Sequence, residues 1–149
     1  MSSTEEPTEV NSPSAFVAAL DHFTIYSPEH GKFTSRNGSS AVRVSKSSFD
    51  EYCRLSLVLH VPDTNKIRFS LDTGAVVYRH TDNSNLHGGS SNGSNPDSLF
   101  ELIPRTDGTF YIKADNSNYV SVYDSGGLVL RASKSSPDKH CIFKIETVT

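Results

Sequence analysis

Apolar residues recur at every second position in a set of short runs: Val42/Val44, Leu55/Leu57/Leu59, Ile67/Phe69/Leu71, Leu128/Leu130 and Phe143/Ile145. That period places the side chains of each run on one face of a β-strand. Between the runs lie polar stretches rich in Gly, Asn, Asp and Ser, residues suited to tight reversals. No window carries a helical stripe. The segment from Ser14 to Leu20 has two readings, a single turn capped by Ser14 or the lead-in to the first strand. The pattern predicts an all-β chain of short strands.

The pattern also repeats. Arg43-Val44-Ser45-Lys46-Ser47-Ser48-Phe49-Asp50-Glu51-Tyr52-Cys53 matches Arg131-Ala132-Ser133-Lys134-Ser135-Ser136-Pro137-Asp138-Lys139-His140-Cys141 at seven of eleven positions. The offset, 131 − 43 = 88, is twice 44, and a third unit fits between the copies, so the chain reads as three units of about 44 residues. Their bounds are about 22–62, 63–105 and 106–149. Each holds a strand, a polar turn and a second strand, then an aliphatic strand, a polar excursion and a closing apolar pair. Those pairs are Leu55 and Leu57, Phe100 and Leu102, and Phe143 and Ile145. The 149 residues suit one domain, 15–149, behind a tail of 1–14 rich in Ser, Thr, Glu and Pro that is expected to be disordered.

Three four-stranded units of this length resemble a β-trefoil, a six-stranded barrel capped by three hairpins. The third unit carries Phe110-Tyr111-Ile112-Lys113-Ala114-Asp115-Asn116-Ser117-Asn118-Tyr119-Val120-Ser121, then Gly127-Leu128-Val129-Leu130-Arg131-Ala132, then Phe143. That string is similar to the repeat of fascin-like, actin-crosslinking trefoils; the match is weaker in the first unit and weakest in the second. The resemblance implies a fold, and trefoils of this type bind sugars, actin and other proteins. Ricin-type trefoil lectins carry a Gln-x-Trp in each unit, and this chain has no Trp. Protease-inhibitor trefoils are disulfide-stapled and heparin-binding growth-factor trefoils are basic, and neither description suits this chain.

Charge and motifs narrow the function. A formal net charge of −3 with no basic stripe disfavours nucleic acid, whose phosphates supply most of the affinity. The chain shows neither a signal segment nor a membrane span, so the expectation is a cytoplasmic protein. Asn37 and Asn92, each followed by Gly-Ser, then act as turn formers rather than glycan acceptors. No Gly-x-Ser-x-Gly, His-Glu-x-x-His, P-loop or Cys-x-x-Cys is present, so no enzyme activity and no cofactor are expected. Cys53 and Cys141 occupy equivalent repeat positions and are expected as free buried thiols. His140 and Cys141, as strand neighbours, would face apart. His80 and His87 flank Asp82 but read as part of a polar loop rather than a metal site. The Gly/Ser/Asn-rich excursion of 82–96 lacks the apolar content to pack and is expected to be a mobile exposed loop.

The leading expectation is a non-enzymatic carbohydrate-binding module, with affinity from several weak sites. In the third unit the candidates are Asp115, Asn116, Asn118, Tyr123 and Asp124, which bring acids, amides and an aromatic to one hairpin and the turn after it. In the first unit they are His30, Lys32, Arg36 and Asn37, a more basic set suited to an acidic or sulfated sugar. The Arg-x-Ser-Lys-Ser-Ser-x-Asp segment reads first as turn chemistry and second as a pair of equivalent pockets. The alternative is a fascin-like module for actin or another protein, which would need homodimerisation to bundle filaments.

Overall fold

In the computed structural model the described residues are 16–17, 19–36, 41–80, 83–89, 96–123 and 128–148. The tail of 1–14, Asn37, Asp124 and residues 82 and 90–95 of the polar excursion lie outside them. Twelve strands follow in chain order: β1 (His22–Ser27), β2 (Lys32–Ser35), β3 (Arg43–Lys46), β4 (Leu55–His60), β5 (Lys66–Ser70) and β6 (Val76–Arg79). The second half is β7 (Leu86–Gly89), β8 (Phe100–Pro104), β9 (Phe110–Lys113), β10 (Tyr119–Tyr123), β11 (Val129–Lys134) and β12 (Lys144–Thr147). The fold is a β-trefoil. Antiparallel pairing runs β12–β1–β4–β5–β8–β9, and the bridge Phe110↔Phe143 closes this six-membered ring with two backbone bonds of 2.8 and 2.9 Å. The remaining strands form three hairpins, β2–β3, β6–β7 and β10–β11.

The hairpins meet as a cap through Val129↔Arg43, Ala41↔His87 and Asn85↔Arg131. Val42, Leu86 and Leu130, spaced 44 residues apart, stand at this meeting point and are all buried. The Val42 amide donates to Leu86 O at 3.1 Å, and the Leu130 amide to Val42 O at 3.0 Å. Below the cap, Phe23, Phe69, Phe100 and Phe143 fill the barrel with Ile25, Leu55, Ile67, Leu102 and Ile112. Of the two readings of 14–20, the turn is the one adopted: Ala19 N and Leu20 N donate to Phe16 O and Val17 O. It seats Val17 and Leu20 in the core and stacks Phe16 on Phe110, ring centres 5.5 Å apart.

Three local expectations are corrected. The run Leu55/Leu57/Leu59 does not keep one face, because a bulge between Leu57 and Leu59 turns Leu59 outward, where it and Val58 are exposed. Leu128 lies before β11 with φ 64, so the buried pair there is Val129 and Leu130. The 82–96 excursion is not all loop, since Leu86–Gly89 pairs with β6 from Val76↔Gly89 to Arg79↔Leu86. One apolar side chain suffices there, because the strand inserts only Leu86 at the cap axis. Gly88 lets the backbone approach Leu71, whose Cδ1 would stand 2.6 Å from an added Cβ. Among the described residues no helix is long and apolar enough to cross a membrane.

Candidate functional site

The repeated Arg-x-Ser-Lys-Ser-Ser-x-Asp segment builds a capped turn in both of its copies. Asp50 and Asp138 cap short 3₁₀ turns, accepting from Tyr52 N and His140 N at 3.0 Å each. Lys46 and Lys134 reach across the same turn to the other carboxylate oxygen, at 3.0 and 3.1 Å. Cys53 and Cys141 lie buried and free behind these caps, and burial pushes both thiols up. Because Cys141 sits in a 3₁₀ turn and not a strand, strand alternation is not what parts it from His140. The imidazole of His140 instead meets His30, its Nδ1 3.1 Å from His30 Nε2.

The seams between units carry the polar constellations. Asp115 begins the β9–β10 turn and receives Arg79, from the end of β6, in a bidentate pair of 2.7 and 3.0 Å. Forty-three residues earlier the arrangement recurs: Arg36 grips Asp72 at 2.8 and 3.1 Å. The guanidinium of Arg79 holds the Asp115 carboxyl below the usual carboxylate range. Both aspartates are fixed and still partly open, with side chains 18 % and 22 % exposed for Asp72 and Asp115. Bidentate pairing of this kind fixes orientation as well as charge.

Each pinned aspartate forms one wall of a cleft. At the first seam a space of about 340 Å³ is lined by His22, Glu51, Arg54, Ser56 and Asp72. At the second, a space of about 320 Å³ is lined by Lys66, Leu99, Glu101, Lys113, Ala114, Asp115 and Ser117. The register makes the two equivalent, since His22↔Ser56↔Ser70 in one corresponds to Lys66↔Glu101↔Lys113 in the other. Residues in register across neighbouring strands share a face. His22 Nδ1 and Ser56 Oγ are 2.9 Å apart. The second cleft therefore has a charged row, plus, minus, plus, where the first has imidazole and hydroxyl groups.

The third seam lacks this device. Arg79 faces Leu86 across its hairpin and Val122 faces Leu130, so Val122 holds the arginine's place, and Pro28 holds the aspartate's. Glu29–Lys139 at 3.4 Å and the His30–His140 contact join the units there.

The sequence candidates thus separate. Asp115 lines the second cleft, and Asn116 shapes its turn, accepting from Asn118 N at 3.1 Å and donating to Ala132 O at 3.0 Å. Tyr123 stands at the far end of β10 under the Arg131 guanidinium, 3.6 Å from the ring centre. Arg36 orients Asp72 for the first cleft and lies over Tyr52 at 4.9 Å. His30 lies at the third seam and Lys32 half-buried on β2, away from both clefts. Asp72, Arg79, Ser56 and Glu101 were missed. The equal spacing of Arg36–Asp72 and Arg79–Asp115 was in the sequence, but it has meaning only once the order of the seams is known. Among the described residues no three metal-ligating side chains converge.

No family model matches the chain, and no curated protein matches it in sequence. Solved structures do match. A designed 3-fold symmetric protein, ThreeFoil, superposes with a TM-score of 0.71 at 13 % identity, over 85 % of this chain and 99 % of its own. A GlcNAcα1-4Gal-releasing endo-β-galactosidase from Clostridium perfringens superposes at 0.73 and 14 % identity, over 87 % of this chain but 33 % of the enzyme. At these identities the likeness is one of fold.

Proposed function

We propose that this chain is a non-enzymatic glycan-binding protein, a lectin, whose sites are the clefts at the first and second seams. The observation that carries this reading is the duplicated pinned carboxylate, Asp72 under Arg36 and Asp115 under Arg79. An ionised carboxylate held in one orientation accepts sugar hydroxyls without the entropy loss that a free side chain pays on ordering. Ser56 or Glu101, and His22 or Lys66, supply further donors and acceptors alongside. Cavities of about 320 and 340 Å³ lie at the small end of ligand sites, suiting one or two sugar rings. Cations also lie over tyrosine faces, Arg105 over Tyr111, Lys113 over Tyr119, Arg131 over Tyr123 and both Arg36 and Lys46 over Tyr52, the adjacency of cation and aromatic ring that suits a sugar. The endo-β-galactosidase, which acts on a glycan and devotes a third of its length to this fold, adds support.

A glycan array probed with the wild type beside Asp72→Asn, Asp115→Asn and the double variant tests the proposal. Selective signals are expected, weakened about tenfold or more by each single change through lost avidity and abolished by both. A blank array, or signals that survive the double variant, contradicts it. One observation favours a protein partner instead: Phe49 and Tyr52, 44 % and 40 % exposed, flank the same turn. Co-sedimentation with actin filaments, lost on Phe49→Ala, is the outcome that this fascin-like reading requires.

A further inference from the structure

The third seam joins the first unit to the last without a guanidinium–carboxylate pair, and two imidazoles meet there instead. His30 lies in the turn between β1 and β2, and His140 in the 3₁₀ turn Lys139–Cys141 that Asp138 caps. His30 Nε2 and His140 Nδ1 face each other at 3.1 Å, with ring centres 5.2 Å apart. Both residues are half-buried, so solvent and small ions reach them. The spacing is that of two ligands on one metal ion. Zinc–imidazole bonds of about 2.0–2.1 Å, meeting at a right or a tetrahedral angle, set their nitrogens about 2.8–3.4 Å apart. In the metal-free state the same distance is a hydrogen bond, in which one ring donates N–H to the bare nitrogen of the other. Two other imidazoles have oxygen partners: His22 Nδ1 is 2.9 Å from Ser56 Oγ, and His60 Nε2 is 2.7 Å from Thr64 O. His80 and His87, ring centres 5.2 Å apart, both belong to the second unit and join nothing across a seam.

We infer that His30 and His140 form a two-histidine site for a divalent transition-metal ion of the zinc class, and that the bound ion latches the first unit to the third. Imidazole nitrogen is the ligand suited to zinc, copper and nickel, and carboxylate or carbonyl oxygen the one suited to calcium and magnesium. Coordination needs both facing nitrogens bare. The ring that donates in the free protein therefore passes its proton, through water, to its own other nitrogen, and no net proton is released. A small turn of each ring then brings the two lone pairs to one point. Glu29 is engaged by Lys139 at 3.4 Å, and among the described residues no third ligand converges, so water fills the remaining positions. The two ligands are 110 residues apart in the chain and meet only when it is folded, so the ion stabilises the folded state by mass action. This site is independent of the glycan reading and shares no residue with the two seam clefts.

Titration of the full chain with zinc chloride, read by calorimetry and by the imidazole ¹H–¹⁵N signals, tests it. Zinc is expected to shift the ring signals of His30 and His140 before those of the other histidines, and EDTA to reverse the shifts. At about ten times its dissociation constant, zinc is expected to raise the thermal midpoint by about 3–6 °C. His30→Gln and His140→Gln each leave a single ring, and each is expected to weaken binding by about tenfold or more and to cancel most of the rise while the amide spectrum stays that of the folded protein. Zinc taken up by the thiols of the unfolded chain is common to every variant and cancels in the comparison. His87→Gln, in the other imidazole pair, is expected to change neither readout. Absence of zinc-dependent shifts at His30 and His140, binding that survives both substitutions, its loss on His87→Gln, or a midpoint rise no larger in the wild type than in the two variants overturns the inference.

Discussion

Asp115 is where the fold meets the proposed site. Its carboxyl is held below the ordinary range by Arg79, so it stays ionised in the folded protein to lower pH than in the unfolded chain. The pair's contribution is therefore complete above about pH 4 and is lost as pH falls through the depressed value. Asp115→Asn is expected to cost about 1–2 kcal/mol at neutral pH, because it also leaves Arg79 without its ion partner. Denaturant midpoints should show that difference shrinking at pH 3; an equal difference at both pH values would contradict the pairing account. His87 has the same sign for another reason, since burial, aided by nearby His80, keeps its imidazole below the usual histidine value. Its protonation therefore opposes folding, and stability is expected to decline as pH drops below about 6.5. The imidazole shifts of His87 in an NMR titration should move at lower pH than those of an unburied histidine. Asp115 was legible in the sequence as an acid in a hairpin turn. Arg79, which decides what that acid does, was not, because nothing local ties residues 36 apart.

At the scale of elements, the period of two gave the strands and the repeat gave their grouping, while the departures came from backbone geometry. The first-unit and second-unit turns place Gly31 and Gly74 at φ 64 and 88, and the third places Ser117 at φ 67. A side chain in that region is strained, so Ser117→Gly is expected to raise stability by about 0.5–1 kcal/mol, read as a rise in the thermal midpoint. Gly88→Ala should act in the opposite sense by about 1–3 kcal/mol, because its Cβ would stand 2.6 Å from Leu71 Cδ1 and 3.3 Å from Ala75 Cβ, and the buried Leu71 side chain must shift within the core to make room. Composition concealed β7, as a stretch so rich in Gly, Ser and Asn reads as unpackable until Leu86 is seen to fill one axial place. The Arg-x-Ser-Lys-Ser-Ser-x-Asp repeat was legible as turn chemistry, and both of its copies cap a 3₁₀ turn.

For the whole molecule, threefold order is carried by what the units share and broken by what they do not. Val42, Leu86 and Leu130 interlock all three hairpins, so Leu130→Ala is expected to lower global stability by about 2–5 kcal/mol within a single cooperative transition, with circular dichroism and tyrosine fluorescence coinciding. The pinned aspartates occupy two seams of the three, and that asymmetry is what the proposed function rests on. Amide chemical-shift mapping of the ¹⁵N-labelled chain with a glycan that it selects tests this most directly. The account expects perturbations in two patches, around His22, Ser56 and Asp72 and around Glu101, Asp115 and Ser117, with His30 and His140 at the third seam unmoved. Perturbations centred on the third seam or on the cap, with both clefts silent, would contradict it.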